Sequence, residues 1–73
     1  MQRYLNLGGN SNIEGYEIGD NYISVKFHGT SKIYTYSYAS AGEEHVENMK
    51  MLARQGSGLN SYIMRNVRNN YER

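Results

Sequence analysis

Lys32-Ile33-Tyr34-Thr35-Tyr36-Ser37-Tyr38 is the stretch from which the rest of the chain can be read. Three tyrosines alternate with Ile33, Thr35 and Ser37, the period-2 pattern of a strand with one aromatic face. β-branched and aromatic residues suit a pleated, half-buried surface, so a strand is expected over 32–38. If Thr35 and Ser37 face water, Tyr34 and Tyr36 turn inward. The pattern alone leaves their orientation open.

Working back, Tyr22-Ile23-Ser24-Val25-Lys26-Phe27-His28 has the same period. Ile23, Val25 and Phe27 fall on one face; Tyr22, Ser24, Lys26 and His28 fall on the other. Gly29-Thr30-Ser31 turns the chain between these two strands. Gly19-Asp20-Asn21 closes a hairpin with an earlier strand over 13–18. Within that strand Ile13 and Tyr16 have opposite parity, which a bulge at Gly15 reconciles. Gly8–Asn12 has the composition of a linker, and Tyr4–Leu7 alternates weakly. Residues 1–10 are therefore expected to be an N-terminal arm or an edge strand, and residues 11–73 the domain proper.

Working forward, Ser40 or Gly42 opens a helix with Glu43, Glu44 and Glu47 near its positive end. Val46, Met49, Leu52 and Ala53 form one apolar stripe. Gly56-Ser57-Gly58 ends it, with Ser57 placed to cap a second helix. Leu59, Ile63, Val67 and Tyr71 make an i, i+4 ridge along that helix. The expected fold is α+β: a three-stranded antiparallel β-meander followed by two α-helices packed on one face.

Seventy-three residues make one domain. A chain of this size buries only about 60% of its unfolded surface, so its stability is marginal and self-association as a homodimer would relieve it. The absence of Cys removes disulfides, thiolate metal sites and thiol catalysis together. No apolar run is long enough to cross a membrane, and the opening residues do not read as a signal peptide. A soluble, cytoplasmic protein is expected.

The formal net charge is +1, but its distribution is uneven. Residues 1–48 carry three basic against six acidic residues, a balance of −3. Residues 49–73 carry five against one, a balance of +4. A basic C-terminal third is a cue for an anionic partner. Eight tyrosines join apolar area to a polar tip.

These residues together resemble a known family. Ser11-Asn12-Ile13, Gly15-Tyr16, Val25-Lys26-Phe27-His28, Tyr34-Thr35-Tyr36 and Asn60-Ser61-Tyr62-Ile63 are similar, in order and spacing, to the KTSC domain. That small domain is named for the C-terminus of some lysyl-tRNA synthetases and also stands alone in bacteria and phages. Its Tyr-x-Tyr signature falls on Tyr34 and Tyr36, and the resemblance covers about residues 11–67. Departures occur at Tyr38-Ala39, where the family has Val-Pro, at Arg54-Gln55-Gly56, where it has Ser-x-Gly, and at Val67, where it has Tyr. The resemblance implies the α+β fold, with RNA binding suggested by the synthetase context.

For a single-stranded RNA, bases stack on aromatic rings and basic residues track phosphates. Candidate stacking residues are Tyr22, Tyr34, Tyr36 and Tyr38; candidate phosphate contacts are Lys26, Lys50, Arg54, Arg65 and Arg68. The set expected to form the interface is Tyr22, Lys26, Tyr36, Arg54, Arg65 and Arg68. A rival reading is a protein–protein interaction module, a small phage or bacterial protein that binds or inhibits a host protein through a sheet edge and its tyrosines. Catalysis is not expected. His28 and His45 are the only histidines, His45 and Glu47 diverge on a helix, and no serine sits in an elbow motif. No metal site and no cofactor is expected.

Overall fold

The computed structural model describes residues 1–9 and 11–72. Asn10, inside the expected linker and ending the expected arm, and Arg73, at the end of the expected domain, lie outside the described residues. The fold is α+β, with helices packed on one face of an antiparallel sheet. That sheet has four strands rather than three, in the order β1 (Gln2–Arg3), β2 (Ile13–Ile18), β3 (Tyr22–Phe27), β4 (Ile33–Ser37). Three helical elements follow: α1 (Tyr38–Ala41), α2 (Glu43–Gln55) and α3 (Leu59–Tyr62), the last running on into a π-helical turn, Ile63–Val67.

The alternation in β3 and β4 has a direct structural counterpart. Ile23 lies opposite Tyr36 and Val25 opposite Tyr34 on the inner face, while Ser24 lies opposite Thr35 on the outer face. There the two hydroxyl oxygens of Ser24 and Thr35 are hydrogen-bonded at 2.8 Å. The β2–β3 register shifts between Ile13 and Gly15, so the bulge brings both Ile13 and Tyr16 to the interior.

The N-terminal segment adds an edge strand to the sheet and one residue, Tyr4, to the core. β1 pairs with β2 through Gln2–Tyr16 and Arg3–Gly15. Tyr4, with 3% of its surface exposed, follows it into the interior. Its amide donates to the Glu14 carbonyl at 3.1 Å, and its phenol oxygen accepts the N–H of Leu59 at 3.3 Å. Leu59 is the first residue of α3, so its N–H has no acceptor within the helix. A side chain 55 positions away supplies one.

The chain leaves β4 earlier than the alternation suggests. Ser37 is the N-cap of α1, accepting the Ser40 amide at 3.1 Å, while Ser40 Oγ accepts the Ser37 amide at 3.0 Å. Tyr38 therefore begins a helix instead of ending a strand. Gly42 separates α1 from α2, whose first turn holds Glu43 and Glu44. Gly56 ends α2 at φ +81°, its N–H bonded back to the Leu52 and Ala53 carbonyls. A Cβ at Gly56 would stand 2.7 Å from Leu5 Cβ, so the residue also lets the N-terminal segment pass.

The expected second helix is a short α-turn followed by a wider one, and its N-cap is Gly58 rather than Ser57. At the wide turn Asn66 Nδ2 donates to the Tyr62 carbonyl at 3.1 Å. Leu59, Ile63 and Val67 are fully buried against Ile13, Ile23, Val25, Val46, Met49 and Ala53. Burying each such side chain contributes about 1.5–3 kcal/mol, opposed by the ordering entropy of the chain.

After the π-turn the chain doubles back to the sheet. The Glu72 amide donates to the Thr35 carbonyl at 2.6 Å, and Ser37 Oγ donates to the Glu72 carboxylate. The outer edge of β4 is thus partly occupied by the chain's own C-terminal segment. No helix among the described residues is long and apolar enough to cross a membrane.

Candidate functional site

The return of the C-terminal segment builds a cleft of about 500 Å³ between the ends of β3 and β4 and the last helical turns. Its sheet-side wall is aromatic. Phe27 and Tyr34 meet edge to face at 5.6 Å between ring centres, and Tyr71 meets Tyr34 at 4.8 Å. Tyr71 also stands edge-on to Tyr36 at 6.2 Å. Such pairs hold rings in fixed mutual orientation at about 0.5–1.5 kcal/mol each. Phe27, Tyr34 and Tyr71 are half-buried, which leaves ring surface toward the cleft. The opposite wall is a line of side chains four residues apart, Asn60, Met64 and Arg68.

Arg68 is exposed and has no ion pair or hydrogen-bond partner among the described residues. Lys32 lies 5.3 Å above the Tyr34 ring, adding a second cation to the same side of the molecule. The cleft therefore joins aromatic surface to positive charge that no carboxylate among the described residues neutralises.

The six residues singled out from sequence do not converge. Tyr36 and Arg68 line the cleft together, but Tyr36 is only 2% exposed and forms its floor. Burial, with Tyr34 and Tyr71 alongside, pushes its phenol up to about 12, so it stays neutral. Tyr36 is a core residue and offers no face for stacking, because inward parity at β4 carries it opposite Ile23.

Tyr22 and Lys26 lie on the outer sheet face, away from the cleft, each bound to an acid. Tyr22 donates to Glu17 at 3.2 Å, which raises its phenol above the ordinary range. Lys26 bonds Glu14 at 2.8 Å, and that hydrogen bond holds the Glu14 carboxyl low. A phosphate approaching Lys26 has to displace Glu14. Arg54 lines a different hollow, with Gln2, Tyr16 and Glu17, and Arg65 is exposed one turn before Arg68.

Of the wider set, Lys50 is 5% exposed and fully engaged. It bonds Glu47 at 2.8 Å and the Asp20 carbonyl at 3.0 Å, and lies 5.6 Å from the Tyr38 ring. Tyr38 donates to the same Glu47 carboxylate at 2.6 Å, which raises the phenol to about 12. Lys50, followed by Tyr38, holds Glu47 below the usual carboxylate range. This cluster ties α2 to the β2–β3 turn.

The cleft's own residues Phe27, Asn60, Met64 and Tyr71, and Lys32 beside Tyr34, were missed as site residues from sequence. Tyr71 was visible only as the end of an apolar ridge, and nothing local shows that the chain returns to β4. His28 stands 3.7 Å from Glu14, while His45 Nδ1 lies 2.7 Å from the Tyr62 hydroxyl, so the two histidines serve different neighbourhoods. Among the described residues no three His, Asp or Glu side chains are grouped to hold a metal ion.

Comparison with family models, curated proteins and solved structures finds no match for this chain.

Proposed function

We propose that this protein is a non-catalytic module that binds single-stranded RNA in the cleft between β4 and the C-terminal helical turns. One observation carries the reading: half-buried Phe27, Tyr34 and Tyr71 face an arginine, Arg68, that no acid among the described residues neutralises. Unstacked bases gain about 1–3 kcal/mol each on aromatic surface, and every base has a face to offer. Arg68, with Lys32 and Arg65 nearby in sequence or space, supplies phosphate contacts. The resemblance of Tyr34-Thr35-Tyr36 and its flanking motifs to the KTSC domain supports the same reading. Strand addition by a host protein at β4 has less support, since Glu72 already occupies part of that edge.

Three cations imply a log–log salt slope of about −2 for a single strand. The test is fluorescence anisotropy of a labelled mixed-sequence RNA hexanucleotide at about 50 and about 200 mM salt. Affinity is expected to fall by about 16-fold between them, with Tyr34→Ala weakening binding at both concentrations and Arg68→Ala flattening the salt dependence. A duplex of the same sequence should bind more weakly, because its bases are already stacked. Absent low-salt binding, or binding indifferent to both substitutions, overturns the proposal.

A further inference from the structure

The polar wall of the cleft divides into two chemistries. Asn60 and Arg68 are eight residues apart on one line, a span of roughly 12 Å at helical rise. Arg68 can only donate, the requirement of a phosphate oxygen; Asn60 carries an acceptor and two donors side by side, the requirement of a base edge.

Asn60 also differs from the other amides in its surroundings. The half-buried Asn6 and Asn48 are engaged within the chain, with Ser11 and with the Tyr62 hydroxyl. Asn66 is bonded to the Tyr62 carbonyl, and Gln2, Asn21, Gln55 and Asn70 are exposed elsewhere; Asn12 and Asn69 border the same cleft, but both are exposed at its rim. Asn60 is half-buried, faces the aromatic wall, and its side chain makes no hydrogen bond to any described residue. Its polar atoms are not sealed off, since no buried side-chain nitrogen or oxygen among the described residues lacks a partner. A ligand in the cleft can reach them.

Building on the RNA-binding reading, we infer that Asn60 reads the base held in the cleft and that the base it selects is adenine. Adenine presents an acceptor beside a donor on two edges, N1 with N6–H and N7 with N6–H. A side-chain amide can therefore pair with it in either ring orientation. Guanine presents such a pair, N1–H with O6, on one open edge only, because its N7–O6 edge holds two acceptors and its N3–N2–H pair lies against the ribose. Cytosine and uracil also present a matching pair on one edge only, and as single rings they cover less of the Phe27–Tyr34–Tyr71 surface. Arg68 then holds a phosphate, and Met64 between them gives a soft apolar contact to the base face.

The experiment compares labelled hexa-adenylate, hexacytidylate and hexauridylate on the full chain, for the wild type, Asn60→Ala, Asn60→Leu and Arg68→Ala. Wild type is expected to prefer hexa-adenylate by about tenfold, near the lower end of what one bidentate base contact gives. Both Asn60 variants should bring the three ligands within about twofold of one another while keeping the wild-type salt slope. Arg68→Ala should do the reverse, flattening the slope and keeping the ranking. Two Asn60 variants guard against a folding defect in either one. Binding of all three oligomers without preference, or an adenine preference that survives in both Asn60 variants, overturns the inference and leaves the RNA-binding reading standing. Failure of wild type to bind any of the three overturns both.

Discussion

Tyr4→Phe tests how deeply the N-terminal segment is built into the fold. The ring of Tyr4 is 3% exposed and packs in the core, and phenylalanine keeps that packing. What is lost is the 3.3 Å hydrogen bond from the Leu59 amide to the phenol oxygen. Leu59 is fully buried and begins α3, so its N–H has no replacement acceptor within the helix. An orphaned buried donor costs about 1–3 kcal/mol, and a bond at the long end of the normal range belongs in the lower half, about 1–2 kcal/mol. For 73 residues, total stability of about 0.05–0.15 kcal/mol per residue amounts to roughly 4–11 kcal/mol, so the variant still folds. A domain of this size loses about 4–8 °C in Tm per kcal/mol, which sets the expected drop at roughly 5–15 °C. Thermal unfolding followed by circular dichroism measures it, and hydrogen exchange at the Leu59 amide should accelerate in parallel. A Tm within about 2 °C of wild type would mean that the phenol caps nothing and that residues 1–9 are an appendage.

Gly56→Ala places a β-carbon at φ +81° and 2.7 Å from Leu5 Cβ. Left-handed backbone costs a β-carbon about 1–2 kcal/mol before the clash is added, so chemical denaturation should show a loss of at least about 2 kcal/mol. Leu5→Gly, which removes that β-carbon, should recover part of it in the same chain; no recovery would refute the contact. A second expectation concerns alkali. Tyr36 titrates at about 12 in the folded protein against about 10 in the unfolded chain, so its contribution to stability is intact below pH 10 and is lost as pH rises from about 10 to about 12. Tyr36→Phe should flatten that decline in pH-dependent unfolding. Tyr38 is held at about 12 by a different cause, its bond to Glu47. Glu47→Gln should therefore bring one tyrosine of the ultraviolet tyrosinate titration down and leave Tyr36 high; both moving together would contradict the separate causes.

Local periodicity was enough for much of the interior. Ile23 and Val25 on β3, Val46, Met49 and Ala53 on α2, and Leu59, Ile63 and Val67 beyond it are core residues, each visible as one face of a repeat. Parity could not orient Tyr34 and Tyr36, because β4 alternates aromatic with small hydroxyl residues that tolerate either side. Their placement depends on register with Ile23 and Val25. β1 was obscured for another reason: two residues carry no period, and Gln2–Arg3 form a strand only because β2 offers an edge. The wide turn at 63–67 keeps the i, i+4 ridge intact and so leaves no mark on the hydrophobic pattern. The cleft was least legible. It needs Tyr71 carried back beside Tyr34, and its polar wall needs Asn60 and Arg68 aligned, both products of tertiary packing. Charge misled in the same way, since Lys26 and Lys50 read as free cations until Glu14 and Glu47 are seen beside them.

Nuclear magnetic resonance titration of the isotope-labelled full chain with hexa-adenylate puts the cleft to its most direct test. Perturbed signals are predicted at Phe27, Tyr34, Asn60, Met64, Arg68 and Tyr71, with the outer sheet face at Tyr22, Ser24 and Lys26 unmoved. Shifts concentrated on that outer face, or a spectrum that does not change, would contradict the account.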